Sequence, residues 1–212
     1  MTGVFLSVPS ALHVSYMMPA YETAPQSILA KIMRMHIGEH DIWGYARPKV
    51  VFFDGLSPEQ IRAQCTQIRA KVVRLLPRPE AAVVRARYGL TEYEDLVSGE
   101  RRFAFNKDRA LAMRYLAKWL TPSFSRLDRA TLLLLVARVF ANQRQTPITL
   151  RQLAAEHGFS HVYYHNYFHA IEQRLAALEM RALDLLTPMF NERGTCNGEP
   201  VVATSEYYES GQ

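Results

Sequence analysis

Cysteine is scarce in this 212-residue chain: there are two, Cys65 and Cys196, far apart and in unlike surroundings. No CxxC pair and no Cys/His spacing suited to zinc accompanies them, which leaves out a zinc finger and a disulfide-stapled scaffold. Such usage is expected of a protein in the reducing cytoplasm. Long apolar runs are missing too. The most apolar stretch, residues 130–140, is too short to cross a bilayer and contains Arg138. Val4-Phe5-Leu6 has no basic segment before it and soon meets Pro9, so no secretion signal is expected. Nucleophile elbow, phosphate loop, dinucleotide fingerprint and paired carboxylates are all lacking. Nothing asks for catalysis, and the expectation is a protein that is not an enzyme and uses no cofactor.

Neither sign of charge dominates: 25 basic residues against 20 acidic give a formal +5. With 49% hydrophobic and 21% charged residues the chain has globular values and can bury a core. The positive excess is local. Between Arg62 and Lys118 lie thirteen basic residues and six acids, a surplus of seven that exceeds the net charge of the whole chain. A solvated basic face is the plain reading of such a run. The sharper one is contact with phosphates or with an acidic protein. Within it, Arg101 and Arg102 fall in a polar stretch, residues 90–105, that reads as a loop and suits a clamp on a nucleic-acid backbone.

The periodicity is mostly helical. Residues 1–25, with Pro9, Pro19 and Pro25, read as an irregular or extended arm. Residues 27–37 have one broad apolar face and residues 49–53 are β-prone. Ser57-Pro58-Glu59-Gln60 is a helix-start signal, with proline and glycine stops at Pro77 and Gly89. Gly89 reads as a left-handed cap after a helix over residues 80–88. A further helix starts at Asn106 or Lys107 and closes at Pro122, and an apolar one covers residues 125–143. Two more surround Gly158, the second reaching about Phe190. The expected fold is mainly α, a multi-helix domain with a C-terminal helix-turn-helix and little or no β-structure. It divides into an arm and helix (1–56), a basic helical region (57–145), the motif with its closing helix (146–190) and a disordered tail (191–212).

Residues 149–175 carry the functional reading. Thr149 caps a first helix whose Leu150, Leu153 and Ala154 point inward, Ala154 being small where a second helix must cross. Gly158 stands where the chain reverses with positive φ. Phe159 plugs the corner and Ser160 caps the second helix. Tyr164, Tyr167 and Ile171 face inward, leaving His161, Tyr163, His165, Asn166 and His169 outward. A capped helix with polar side chains near its start, braced by a preceding helix, is the arrangement that reads a DNA groove. Asn166 can pair bidentately with adenine, and Ser160 with the helix-start amides can hold a phosphate. Thr149, Arg151, Ser160, His161, Tyr163, His165, Asn166 and His169, with Arg101 and Arg102, are the candidate DNA contacts.

The same segment resembles, without gaps, the helix-turn-helix of sigma factor region 4. The shared features are the Thr-Leu start, the small residue at the crossing, the glycine turn, and an apolar residue then serine before the reading helix. It departs where sigma-like readers are rich in Arg and Gln, holding His161, His165 and Asn166 instead. More broadly, Arg85-Ala86-Arg87-Tyr88-Gly89 followed by helices and this motif resembles phage late-gene antiterminators of the Q class and related phage activators. About 60 residues separate Gly89 from Thr149 here, where those relatives have the two elements close. The resemblance implies a phage transcription regulator that binds double-stranded DNA near a promoter and engages bacterial RNA polymerase. The rival readings are a phage DNA-packaging or replication protein, and a protein-interaction module inhibiting a host enzyme. The repeat of His157, His161, His165 and His169 tempts a metal reading, but no acid joins it at HExxH spacing and none is assigned.

Overall fold

The computed structural model describes residues 4–18, 55–95, 101–141, 149–158, 160–192 and 195–196, with 91–95, 101–104 and 157 described by backbone alone. Seven α-helices and one two-stranded hairpin make up these residues, a mainly α architecture. The expected helix over 27–37 and extended run at 49–53 lie outside them.

Helix α1, Val8–Met17, occupies the stretch expected to be irregular. Its prolines misled because position matters more than presence. Pro9 stands in the first turn, where its missing N–H has no intrahelical partner to lose, and Ser7 caps the helix by accepting from the Ser10 amide. Val8, Ala11, Leu12 and Val14 are buried, so packing holds the helix as much as the cap does. Just before it, the Phe5 amide donates to the Thr195 carbonyl at 3.0 Å, and Phe5 pairs with Cys196 in a parallel bridge. Thr195 and Cys196 are buried, which corrects the expectation of disorder at that point; the other tail residues beyond Glu192 lie outside the description.

Helix α2, Pro58–Leu75, starts at the full capping box formed by Ser57 and Gln60. Ile61, Cys65, Ile68 and Val72 make its inward stripe, three or four residues apart. Helix α3, Arg78–Tyr88, begins two residues earlier than expected, since Pro79 fits its first turn as Pro9 does in α1. Gly89 ends it with extended rather than left-handed backbone, φ −61° and ψ 155°. Glycine is needed there for space: a Cβ would collide with the Arg85 carbonyl and press on the Arg109 Cβ at 3.1 Å.

Strands β1, Thr91–Asp95, and β2, Arg101–Phe105, form an antiparallel hairpin where a loop was expected. Tyr93, Phe103 and Phe105 supply some β-propensity, yet the charges interleaved with them hid the alternation. Helix α4, Lys107–Leu120, is capped by Asn106 and passes through a short 3-10 turn at Thr121–Ser123 into α5, Arg129–Phe140, which is capped by Asp128. Helices α6, Leu150–His157, and α7, His161–Glu192, complete the chain. Helix α7 has 32 residues and is therefore about 48 Å long. Tyr164, Phe168, Ile171, Leu175, Leu178, Ala182, Leu186 and Phe190 run along it as one buried stripe. One hydrophobic core cluster includes residues of all seven helices. Among the described residues no helix is long and apolar enough to cross a membrane.

Candidate nucleic-acid interface

The segment singled out in the sequence folds as a helix, a glycine turn and a helix. Thr149 accepts from the Gln152 amide while Gln152 accepts from the Thr149 amide at 2.8 Å, so α6 starts on a complete capping box. Gly158 closes it in the left-handed region, φ 79°, with open space where a Cβ would stand. The requirement for glycine is thus conformational here, unlike at Gly89. Ser160 caps α7 by accepting from the Tyr163 amide at 3.2 Å. Phe159 is outside the described residues.

Leu150 and Leu153 on α6 are buried against α7, whose Tyr164 is 1% exposed. Tyr167 is half-buried and meets Phe124 edge-on at 6.1 Å, while the buried Phe168 fills an inward position that the sequence reading passed over. Helix α5 also packs on α7, so the corner is a three-helix unit rather than a bare pair. The N-terminus of α5 comes close to the start of α7: the Asp128 charge acts on the Tyr164 hydroxyl and that of Arg126 on the Tyr163 hydroxyl. Burial, first, and the Tyr167 hydroxyl hold the Tyr163 phenol above its ordinary value, leaving it a neutral donor at pH 7.

His161, His165, Asn166 and His169 are all exposed on α7, and Arg151 is exposed on α6. The histidine rings contact one another in sequence, 6.1 Å apart and nearly parallel for His161 and His165, then 4.3 Å apart and edge-on for His165 and His169. His169 Nδ1 lies 3.2 Å from a Glu172 carboxylate oxygen, which brings a negative group to the far end of this face. Among the described residues no group of three or more His, Cys, Asp or Glu is arranged to hold a metal ion. His36 and His40 lie outside them.

Three residues at this face were missed. Val162 is 63% exposed, an apolar side chain near the start of α7. Arg126 and Arg129 are exposed in the turn and first residue of α5, beside that start. The sequence signal for the arginines was the Asp128 cap immediately upstream of an apolar helix and the motif, which marks the first helix of a three-helix unit.

Other candidates fall elsewhere. Arg101 and Arg102 are in β2, and the register sets them opposite Asp95 and Glu94. The pair thus stands in a strand and not in the loop expected. Much of the basic middle is committed inside the fold. Arg69 donates to the Ser15 carbonyl at 2.6 Å, near the end of α1. Arg87 pairs with Glu179 of α7 at 2.9 Å, and Arg181 of α7 reaches the buried Glu80 at 3.0 Å. Arg109 is buried and donates to the Ala86 and Phe140 carbonyls at 2.8 and 2.7 Å. Burial and then the neighbouring Arg87 charge lower its pKa to about 10, which still leaves it charged at neutral pH.

Set against known protein families the chain matches none, and set against curated proteins it shows no significant similarity to any.

Proposed function

We propose that this protein is a sequence-reading DNA-binding regulator of transcription in which α7 enters the major groove from its N-terminal end. The observation that carries the reading is the exposed row of His161, Val162, His165 and Asn166 on a helix capped at Ser160 and braced by α5 and α6. A groove-reading helix needs side chains with hydrogen-bonding edges on its first two turns and a rigid mount behind them. Asn166 supplies an adenine-matching amide. Val162 supplies an apolar contact. Arg126, Arg129 and Arg151, with the Tyr163 hydroxyl and the Ser160 turn, supply phosphate contacts beside them.

The test is selection of bound duplexes from a random pool at two salt concentrations. The reading expects an enriched motif of a few base pairs and affinity that falls with salt. Asn166→Ala should relax preference at one position, while Arg126→Ala should weaken all duplexes alike.

The resemblance to phage late-gene antiterminators extends the proposal to engagement of RNA polymerase so that it reads through terminators. Transcription past a terminator on the selected template, with and without the protein, tests that extension. The exposed Val162, on a face of few charges, favours a second reading. It also suits an apolar partner protein, and duplex binding that is absent or insensitive to salt would select that reading.

A further inference from the structure

Helix α4 turns one side to the core, where Ala112, Met113, Leu116, Ala117 and Leu120 are buried. On its outer side Lys107, Leu111, Tyr115 and Trp119 follow one another every four residues and so form one ridge along the helix. Arg114 and Lys118 make the row beside that ridge. Leu111 is 47% exposed, while Tyr115 and Trp119 are half-buried against the core. The Arg174 guanidinium of α7 lies 5.9 Å from the centre of the Trp119 ring, which fixes that end of the ridge against the neighbouring helix.

The cations of this face differ from those committed inside the fold. Lys107, Arg114 and Lys118 are exposed and have neither a hydrogen bond nor an ion pair among the described residues. Asp108 is the one acid of the helix and stands in its first turn, where a negative charge suits the helix dipole. Lys107 in the same turn opposes the dipole. A carboxylate brought to Lys107 is therefore favoured by the side chain and by the helix end together.

We propose that the outer face of α4 docks an acidic amphipathic helix of a partner protein. Its apolar side chains pack beside Leu111 and Tyr115, and its carboxylates pair with Lys107, Arg114 and Lys118. A ridge of residues four apart fits the matching groove of a second helix. Apolar side chains including two aromatics, edged by cations, have the apolar centre and charged rim of a protein interface. Leu111, the most exposed apolar member of the ridge, has no ring to stack on a base, so nucleic acid fits this face less well. The face lies on a different helix from the reading row of α7 and stands or falls separately from DNA binding.

The probe is a labelled synthetic helix with Glu, Glu, Leu and Glu at spacings of four, three and four residues. This is the reverse order of Lys107, Leu111, Arg114 and Lys118, for antiparallel docking. It is titrated against the full chain by fluorescence anisotropy, with a helix carrying Gln for each Glu and a random-sequence duplex as comparison arms. Saturable binding that weakens with salt is expected, about tenfold or more tighter than that of the Gln helix. Leu111→Ser should weaken the acidic helix by about fivefold with Tm unchanged, since the side chain is largely in solvent. Arg114→Glu with Lys118→Glu should weaken it by about tenfold or more and create affinity for a helix with Lys at the Glu positions. Unfolding cannot imitate that gain. No saturable binding, equal binding of the Gln helix, or binding untouched by Leu111→Ser would each overturn the assignment. So would a duplex that loses more affinity than the acidic helix in the charge-reversed variant, which would give the face to nucleic acid.

Discussion

Arg109 is 8% exposed yet carries a charge, because its guanidinium serves the last carbonyls of two helices. Ala86 and Phe140 belong to α3 and α5, so one side chain ties the ends of both to α4. Arg109→Met keeps the volume and abandons both acceptors. It should destabilise the protein by about 3 kcal/mol in urea unfolding, given about 1.5–3 kcal/mol for each hydrogen bond to a charged group. Gly158 makes the complementary case. With φ at 79° and open space for a methyl group, Gly158→Ala costs backbone strain alone, about 1–2 kcal/mol, and Gly158→Asn should cost less. Gly89→Ala should cost more than Gly158→Ala, since there a methyl meets backbone.

At the scale of elements the histidines of α7 act as a group. Their rings touch in sequence along one face, and Glu172 brings a carboxylate to its far end. Glu172→Gln should raise duplex affinity by removing a negative group from that face, and His161→Gln with His165→Gln should change base preference more than overall affinity. Electrophoretic shift titrations at fixed salt measure both.

Elements also explain what the sequence could and could not reveal. The helix starts at Ser57 and Thr149, the reversal at Gly158 and the Ser160 cap were readable because each depends on a few adjacent residues. Helix α1 was not, since its buried stripe makes sense only once Phe5 and Cys196 are known to meet. The hairpin was hidden for a similar reason: cross-strand pairs such as Glu94 with Arg102 are neighbours only after the chain turns. The role of basic residues was least legible of all. Arg69, Arg87 and Arg109 look alike in sequence to Arg126 and Arg129, yet the first three bind backbone or acid inside the fold.

Across the whole molecule, α7 is the connecting beam. Its first turns form the proposed reading surface, and its middle is clamped to α3 through Arg87 with Glu179 and Glu80 with Arg181. Both cysteines are buried in this core and the half-buried Tyr16 packs against it, and their protonation is coupled to folding. Burial pushes the Cys196 thiol up to about 12 from an ordinary 9.0, and raises the Cys65 thiol as well. Tyr16 rises to about 12 from 10.0 for the same reason. A folded pKa above the unfolded one means that the folded state holds the proton more tightly. The contribution is thus complete below about pH 9 and is lost as pH climbs towards 12. Urea unfolding should show stability falling through that alkaline window. Alkylation of both thiols at pH 8 should be slow and should track unfolding.

The central claim is that α7 reads DNA by sequence. Random-pool selection followed by titration of the enriched duplex against wild type and Asn166→Ala tests it most directly. The account predicts one enriched motif, a loss of about 1–3 kcal/mol of discrimination at a single base pair in the variant, and binding that weakens with salt. No enrichment over the starting pool, or an enriched motif bound equally well and with equal preference by Asn166→Ala and Val162→Ser, would contradict it.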